Sequence, residues 1–377
     1  FRARLQQLSG ATMAKGSEDT AFYRCHRLIA LNEVGGDLDR FSVSATEFHA
    51  AMTAAAHERP RSMIATSTHD TKRSEDVRLR IALLSAMTPE WQAAVQRWRA
   101  LNAALWTSMP DPATEYLLYQ TLVGAWPIDA ARLVTFLRKA VREAKQHTSW
   151  TDPNAEYEQA VTGFAERVVT HEAFTSDLAE FVATAARPAR MASLAQLAAK
   201  LTVPGVPDVY QGSELWTDSL VDPDNRRPVD FASRFAMLDA SLASPDSDPL
   251  VADTLDADAS GATKLRLLHL VLALRHAHRS SFDGAYAAVD VTGSNARAAL
   301  AYRRGEDVVV ALAVRPLDVA RHGWGTTRLD LPAGSWRSVL PAPTASDAGE
   351  LISSVLLGDV MWYGSVAILV REPVGRP

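Results

Sequence analysis

One short stretch limits the possible folds more than any other. The apolar run Met63-Ile64-Ala65 passes into Thr66-Ser67-Thr68-His69-Asp70-Thr71-Lys72-Arg73-Ser74-Glu75-Asp76, after which Val77, Leu79, Ile81, Leu83 and Leu84 recur among charges. Hydroxyls, an imidazole, a carboxylate and two cations therefore arrive where a buried strand ends and a helix begins. In α/β barrels that edge gathers catalytic residues, because loops there vary without disturbing the core. A second stretch repeats the logic: the β-prone Val206 to Tyr210 ends in a Gln211-Gly212 turn and a polar edge.

The 377 residues, 47% of them hydrophobic, can bury a large core, more readily as two or three domains than as one. A net charge of −5 argues against nucleic acid as the main partner, since phosphate binding needs a clustered positive face. The single cysteine, Cys25, permits no internal disulfide, so a reducing cytoplasm is the expected home. No apolar run reaches the length of a membrane span, and no signal peptide opens the chain. The chain starts at Phe1, inside a helix-like pattern with Leu5 and Leu8, which reads as a piece of a longer protein.

Residues 1–60 read as helical pieces around two polar loops, 15–19 and 31–37, with Ser44-Ala45-Thr46-Glu47 as a capping box opening a helix. From about 75 to 200 apolar residues recur at helical spacing. Breaks at Thr88-Pro89, Met109-Pro110-Asp111-Pro112, Trp126-Pro127 and Asp152-Pro153 divide this region into five or six helices. Its many tryptophans and tyrosines are expected in the core. The segment 243–263 reads as a loop, and a helix is expected from Thr263 to Ser281. Beyond Gly284 the spacing predicts short strands over 286–291, 298–303, 308–314, 327–331, 335–340 and 365–370: a small antiparallel sandwich or barrel.

The chemistry centres on Asp70. Lys72 and Arg73 favour its ionised form, and an ionised carboxylate beside a hydrogen-bonding His69 suits stabilisation of a positive, sugar-like transition state. A structural ion-pair network at a domain junction is the bland alternative. No phosphate loop or dinucleotide fingerprint occurs, so nucleotide binding is not expected, and the common zinc spacings and the nucleophile elbow are absent. A metal-dependent phosphohydrolase using His69 and Asp70 as ligands lacks the further His and Asp it needs.

The Thr66-Ser67-Thr68-His69-Asp70 segment resembles the last catalytic motif of the α-amylase superfamily, at the end of barrel strand seven, and Pro204 to Glu214 resembles its strand eight. Four longer blocks narrow the resemblance to the maltooligosyltrehalose synthase family: Met13 to Arg24, Leu31 to Asp37, His69 to Asp76, and Asp222-Pro223-Asp224-Asn225-Arg226-Arg227-Pro228-Val229-Asp230.

That resemblance implies an α/β fold, the C-terminal part of a (β/α)8 barrel with a large helical insertion and a small antiparallel β-domain. The segments implied are 1–74 up to strand seven and its loop, 75–200 as the insertion, 201–283 with strand eight and the final helix, and 284–377 as a β-sandwich. The implied reaction rearranges the reducing-end α-1,4 bond of a maltooligosaccharide into an α,α-1,1 bond, without cofactor or metal. Asp70 becomes the transition-state stabiliser and His69 a ligand of the same ring, with Asp70 projecting into a saccharide-sized hollow.

Lys15, Glu18, Asp19, Tyr23, Asn32, Glu33, Lys72, Arg73, Tyr210, Gln211, Asp222, Asp224, Asn225, Arg226 and Arg227 become candidate substrate-binding residues. The loops 15–23 and 222–227 become candidates for a lid that excludes water or for the reducing-end pocket. The family's nucleophilic Asp and acid/base Glu have no match here and are expected upstream of Phe1. The partners implied are the oligosaccharide and that upstream portion, and the chain alone is expected to be inactive. An amylase-type hydrolase and a non-catalytic carbohydrate-binding fragment are the alternatives.

Overall fold

The computed structural model describes residues 1–106, 110–243, 255, 258–340 and 351–372. Met109 and most of the loop expected over 243–263 lie outside them. In chain order the elements are α1 (Arg2–Met13), α2 (Ala45–Glu58), β1 (Met63–Ile64), α3 (Glu75–Ala82), α4 (Thr88–Asn102), α5 (Pro112–Ala125), α6 (Ala130–Ala144), α7 (Ala155–Val168), α8 (Glu172–Thr202), β2 (Val206–Pro207), α9 (Phe231–Ala243), α10 (Ala262–Ala277) and α11 (Arg279–Phe282). There follow β3 (Tyr286–Ala288), β4 (Val291–Thr292), β5 (Ala299–Arg304), β6 (Val308–Ala313), α12 (Pro316–His322), β7 (Arg328–Ser338), β8 (Leu351–Leu356), α13 (Leu357–Val360) and β9 (Val366–Arg371). The contacts divide the chain into two units: Phe1–Phe41, Ser67–Ala186 and Thr217–Arg227 form one, and Ser42–Thr66, Arg187–Trp216 and Pro228–Pro377 the other.

The first unit is helical, and its helices start where the sequence places breaks. Pro112 occupies the first turn of α5, and Asp111 caps it by accepting the Ala113 and Thr114 amides, each at 3.0 Å. Asp129 caps α6 through the Arg132 amide at 2.9 Å. α6 then buries Leu133, Phe136, Leu137, Ala140, Val141 and Ala144, a single stripe at helical spacing. α5 is buried nearly all round and packs closely on α3 at Gly124, where a Cβ would stand 2.6 Å from Ile81. Trp91, Trp98, Tyr119, Phe174 and Phe181 fill the space beside it with edge-on ring contacts.

The second unit holds both sheets. Ser44 and Glu47 form the expected capping box at the start of α2. β1 and β2 pair in parallel, Met63 opposite Val206 and Ile64 opposite Pro207. The other seven strands form one antiparallel sheet in the order β3-β5-β6-β9-β7-β4, with β8 also on β7. Of the expected antiparallel sandwich or barrel, the described residues show one continuous sheet and not two facing ones. The strands expected over 327–331 and 335–340 are one strand, β7, with a shift of register between Asp330 and Ser335. That irregularity lets one strand pair with β4 by its first half and with β9 by its second. The core of this unit joins β6, β9 and β7 to Leu194, Leu197 and Leu201 of α8 and to Leu267 and Val271 of α10.

Candidate active site

All the candidate site residues, apart from Tyr210 and Gln211, fall in the first unit. The segment 67–78 is its spine. Ser67 accepts the Glu75 amide at 3.0 Å and so satisfies one of the free amides that begin α3. The Thr71 hydroxyl donates to the Thr68 carbonyl at 2.9 Å and accepts the Thr68 amide at 3.3 Å, while the Asp70 amide donates to the Thr68 hydroxyl at 3.2 Å. These bonds shape a tight turn with His69 and Asp70 at its tip, both exposed.

Behind the turn lies a buried network of charge. Lys72 and Arg73 are 3% and 4% exposed. The Lys72 ammonium donates to Asp19 at 3.1 Å and sits 5.8 Å from the centre of the Tyr23 ring. Lys15 bonds the other oxygen of Asp19. Burial pushes the Asp19 carboxyl up, but the hydrogen bonds from Lys15 and Lys72 outweigh it and hold the group below the usual carboxylate value. Arg73 donates to the Ile29 carbonyl at 3.2 Å, and burial lowers its pKa.

Glu33 completes the network. One of its oxygens accepts the Lys72 amide at 2.8 Å; the other accepts the Arg73 amide at 3.3 Å and the Arg78 guanidinium at 3.0 Å. The loop that carries Glu33 is held close by Gly36, where a Cβ would stand 2.7 Å from the Glu33 carbonyl oxygen.

The block 217–227 docks on the same spine. Ser74 donates its amide to the Ser219 carbonyl and its hydroxyl to the Thr217 carbonyl, each at 2.8 Å, and Asp76 accepts the Thr217 amide at 2.8 Å. Asp224 accepts the Leu220 amide at 2.7 Å and a two-pronged bond from Arg132 at 2.8 and 2.9 Å. Arg132 also reaches Asp218 at 2.7 Å, and Arg227 reaches it at 2.6 Å. Burial works against the Arg132 charge, but its two aspartates raise its pKa on balance; the same bonds keep Asp218 low despite its burial. Asn225 donates its amide to the His69 carbonyl at 2.9 Å and lies 3.4 Å from that of Thr68. Arg226 pairs with Asp222 at 2.5 Å and remains largely exposed.

Several of the candidate sugar ligands make their polar contacts within the protein. Asn32 is 1% exposed and donates to the Phe22 and Cys25 carbonyls, so it fixes a loop. Tyr23, Lys72 and Arg73 are buried, and Asp19, Glu33 and Asp224 spend their oxygens on protein donors. Desolvating such charges is tolerable only because each has a partner. Lys15, Glu18, Asp222, Arg226 and Arg227 stay at least partly open, as do His69 and Asp70. Tyr210 and Gln211 belong to the second unit, in the turn after β2, where Ser213 bonds the Tyr210 carbonyl at 2.6 Å.

A cavity of about 270 Å³ lies between Phe136 of α6 and residues 221–227, and one of about 410 Å³ beside Arg27 and Tyr116; neither is lined by His69 or Asp70. Sequence reasoning also missed Ser67, Arg132 and Asp218; only Ser67 gave a signal, as a hydroxyl ahead of a helix start.

Among the described residues, no cluster of three or more His, Cys, Asp and Glu could hold a metal ion, and no helix is long and apolar enough to cross a membrane. No family model matches the chain. Putative maltooligosyl trehalose synthases of two Mycobacterium tuberculosis strains, CDC 1551 / Oshkosh and H37Rv, are 43% identical to it over 98% of its length. The chain spans 45% of the length of these curated relatives. The structure of maltooligosyltrehalose synthase from Arthrobacter ramosus superposes with a TM-score of 0.85 at 37% identity, over 98% of this chain and 46% of that one. A hypothetical maltooligosyl trehalose synthase from Sulfolobus tokodaii superposes with a TM-score of 0.78 at 31% identity, over 97% of this chain and 46% of that one.

Proposed function

We propose that this chain, a relative of the maltooligosyltrehalose synthases, is the C-terminal portion of such an enzyme and supplies one wall of its active site. The reaction is an intramolecular transglucosylation in trehalose formation, which turns the reducing-end α-1,4 bond of a maltooligosaccharide into an α,α-1,1 bond. One observation carries the reading. Asn225 bonds His69 across 156 positions of sequence, so two of the family-like blocks meet at the residue beside Asp70. The parallel pairing of β1 with β2, each followed by a polar turn, supports the assignment of neighbouring barrel strands.

The chemistry follows that of a retaining glycosidase. A carboxylate from the upstream portion attacks the anomeric carbon as a second carboxylic acid protonates the departing glycosidic oxygen. The freed glucose turns, its own anomeric hydroxyl attacks the glycosyl-enzyme, and the same acid, now a base, takes that proton. No water is consumed. Asp70 carries the negative charge that faces the oxocarbenium-like transition state, and His69 binds a hydroxyl of that ring. Arg226, the 222–227 loop and the 15–23 loop exclude water while the glucose turns. In this account the chain alone lacks the nucleophile and the acid/base and is inactive, and the enzyme works in the cytoplasm.

Maltopentaose given to the full-length enzyme tests the reaction class. Reducing ends are expected to disappear without matching release of glucose. Steady release of glucose or shorter maltooligosaccharides would instead make it an amylase-type hydrolase.

A further inference from the structure

The geometry points to Asn225 and Glu33 as positioning residues that hold the His69–Asp70 turn from its two sides. The proposal rests on the assignment of Asp70 above. Asp70 sits at an exposed tip, and the bonds inside the turn all run among Thr68, Asp70 and Thr71. Such a turn keeps its own shape but not its direction. Direction requires bonds to something outside it.

Ser67, Arg73 and Ser74 anchor the flanks further out, and Asn225 and Glu33 supply the bonds nearest the tip on each side. Before the tip, Asn225 donates to the His69 carbonyl at 2.9 Å, with that of Thr68 at 3.4 Å. After the tip, Glu33 accepts the Lys72 amide at 2.8 Å and the Arg73 amide at 3.3 Å. The bonds grip backbone, so they set where the Asp70 Cα stands whatever side chain it bears. The grips are braced separately. Asn225 stands in the 222–227 loop, which Arg132 and Lys139 of α6 hold through Asp224 and the Asp222 carbonyl. Glu33 is braced by Arg78 of α3 at 3.0 Å and by the Val34 amide at 2.8 Å. A shift of about 1 Å in a charged group facing a transition state costs on the order of a hundredfold in rate.

The test uses the full-length enzyme with maltopentaose and four variants: Asp70→Asn as the reference, Asn225→Ala, Asn225→Asp and Glu33→Gln. Asn225→Asp keeps the size of the side chain but has no N–H to donate. Both Asn225 variants are expected to lower kcat by about ten- to a hundredfold while KM moves less than about threefold, the split of an interaction felt in the transition state. Glu33→Gln, which replaces one acceptor by a donor, is expected to lower kcat by a similar factor. Thermal midpoints should stay well above the assay temperature in all of them.

The clamp is overturned if Asp70→Asn abolishes turnover while the Asn225 and Glu33 variants keep kcat within about twofold of the parent. It is also overturned if Asn225→Asp retains activity that Asn225→Ala loses, since a space-filling role then suffices. If Asp70→Asn itself turns over normally, the assignment of Asp70 fails and the clamp with it. Should Glu33→Gln not fold, the Asn225 pair decides alone.

Discussion

The second unit contains two sheets of opposite character. In the antiparallel one, β6 is buried at every residue and bonded on both sides, by β5 and by β9. In the parallel one, two residues pair with two, and Met63 and Val206 are 75% and 48% exposed. Antiparallel strands are joined by short turns and complete themselves from contiguous sequence. Parallel strands are ordinarily covered on both faces and flanked by further strands. One sheet is thus a finished core, and the other a short stretch of sheet on which Met63 and Val206 stand open while Ile64 packs on the core.

The largest test of that difference lies in the finished sheet. Trp336, fully buried on β7, donates to the Pro332 carbonyl at 2.8 Å and lies under the Arg371 guanidinium at 5.0 Å. Trp336→Ala is expected to cost about 3–5 kcal/mol in denaturant unfolding. A loss below about 1 kcal/mol would mean that the sheet is not the unit's cooperative core.

Next comes the connection into β2. Gly205 has φ +136°, and a Cβ there would stand 2.4 Å from Ile64 and 2.8 Å from the Ser62 carbonyl oxygen. Gly205→Ala should cost about 1–3 kcal/mol, by backbone strain and by prising the strand pair apart. If the unfolding midpoint is unmoved, the pair is not tied to the unit's stability.

A smaller effect appears with pH. His49 of α2 bonds the Tyr286 hydroxyl of β3 at 2.7 Å, and burial holds its imidazole below its ordinary value of 6.5. The unfolded chain therefore binds this proton more tightly. Stability is full above pH 6.5 and falls as pH drops through that value toward the folded one. His49→Gln should remove part of the fall in thermal midpoint between about pH 7 and 5. An unchanged slope would show that this contact does not couple α2 to the sheet through its proton.

Met63→Ala sits at the bottom of the scale. In this chain it should change stability by no more than about 0.5 kcal/mol, as for other exposed positions. In the full-length enzyme the same change should cost about 2 kcal/mol or more if an upstream strand and helix cover that face. Equal, negligible costs in both would leave the parallel pair as a surface ornament.

The finished sheet was also the more legible region. β5, β6 and β9 are short runs rich in apolar residues, β6 and β9 almost without interruption, whereas Pro332-Ala333-Gly334 read as a turn and is instead the irregular middle of β7. β8 was missed because Ser353-Ser354 interrupts its apolar residues. Helix starts were legible because proline and Asp or Asn caps act locally. The site was legible only in outline. That His69-Asp70 follows a strand can be read from order alone. That Asp19 claims Lys72, or Arg132 claims Asp224, depends on partners 53 and 92 positions apart, which spacing cannot announce. Hence the burial of Asn32, Lys72 and Arg73 and their bonds to Phe22, Asp19 and Ile29 were not legible in the sequence.

Asp70 is the residue on which the account turns, and its charge can be removed without changing its size. The decisive measurement is the rate at which the full-length enzyme removes reducing ends from maltopentaose, parent against Asp70→Asn. A fall of at least about a hundredfold with an unchanged thermal midpoint is predicted, as for loss of a group that stabilises transition-state charge. A rate within about twofold of the parent would contradict it.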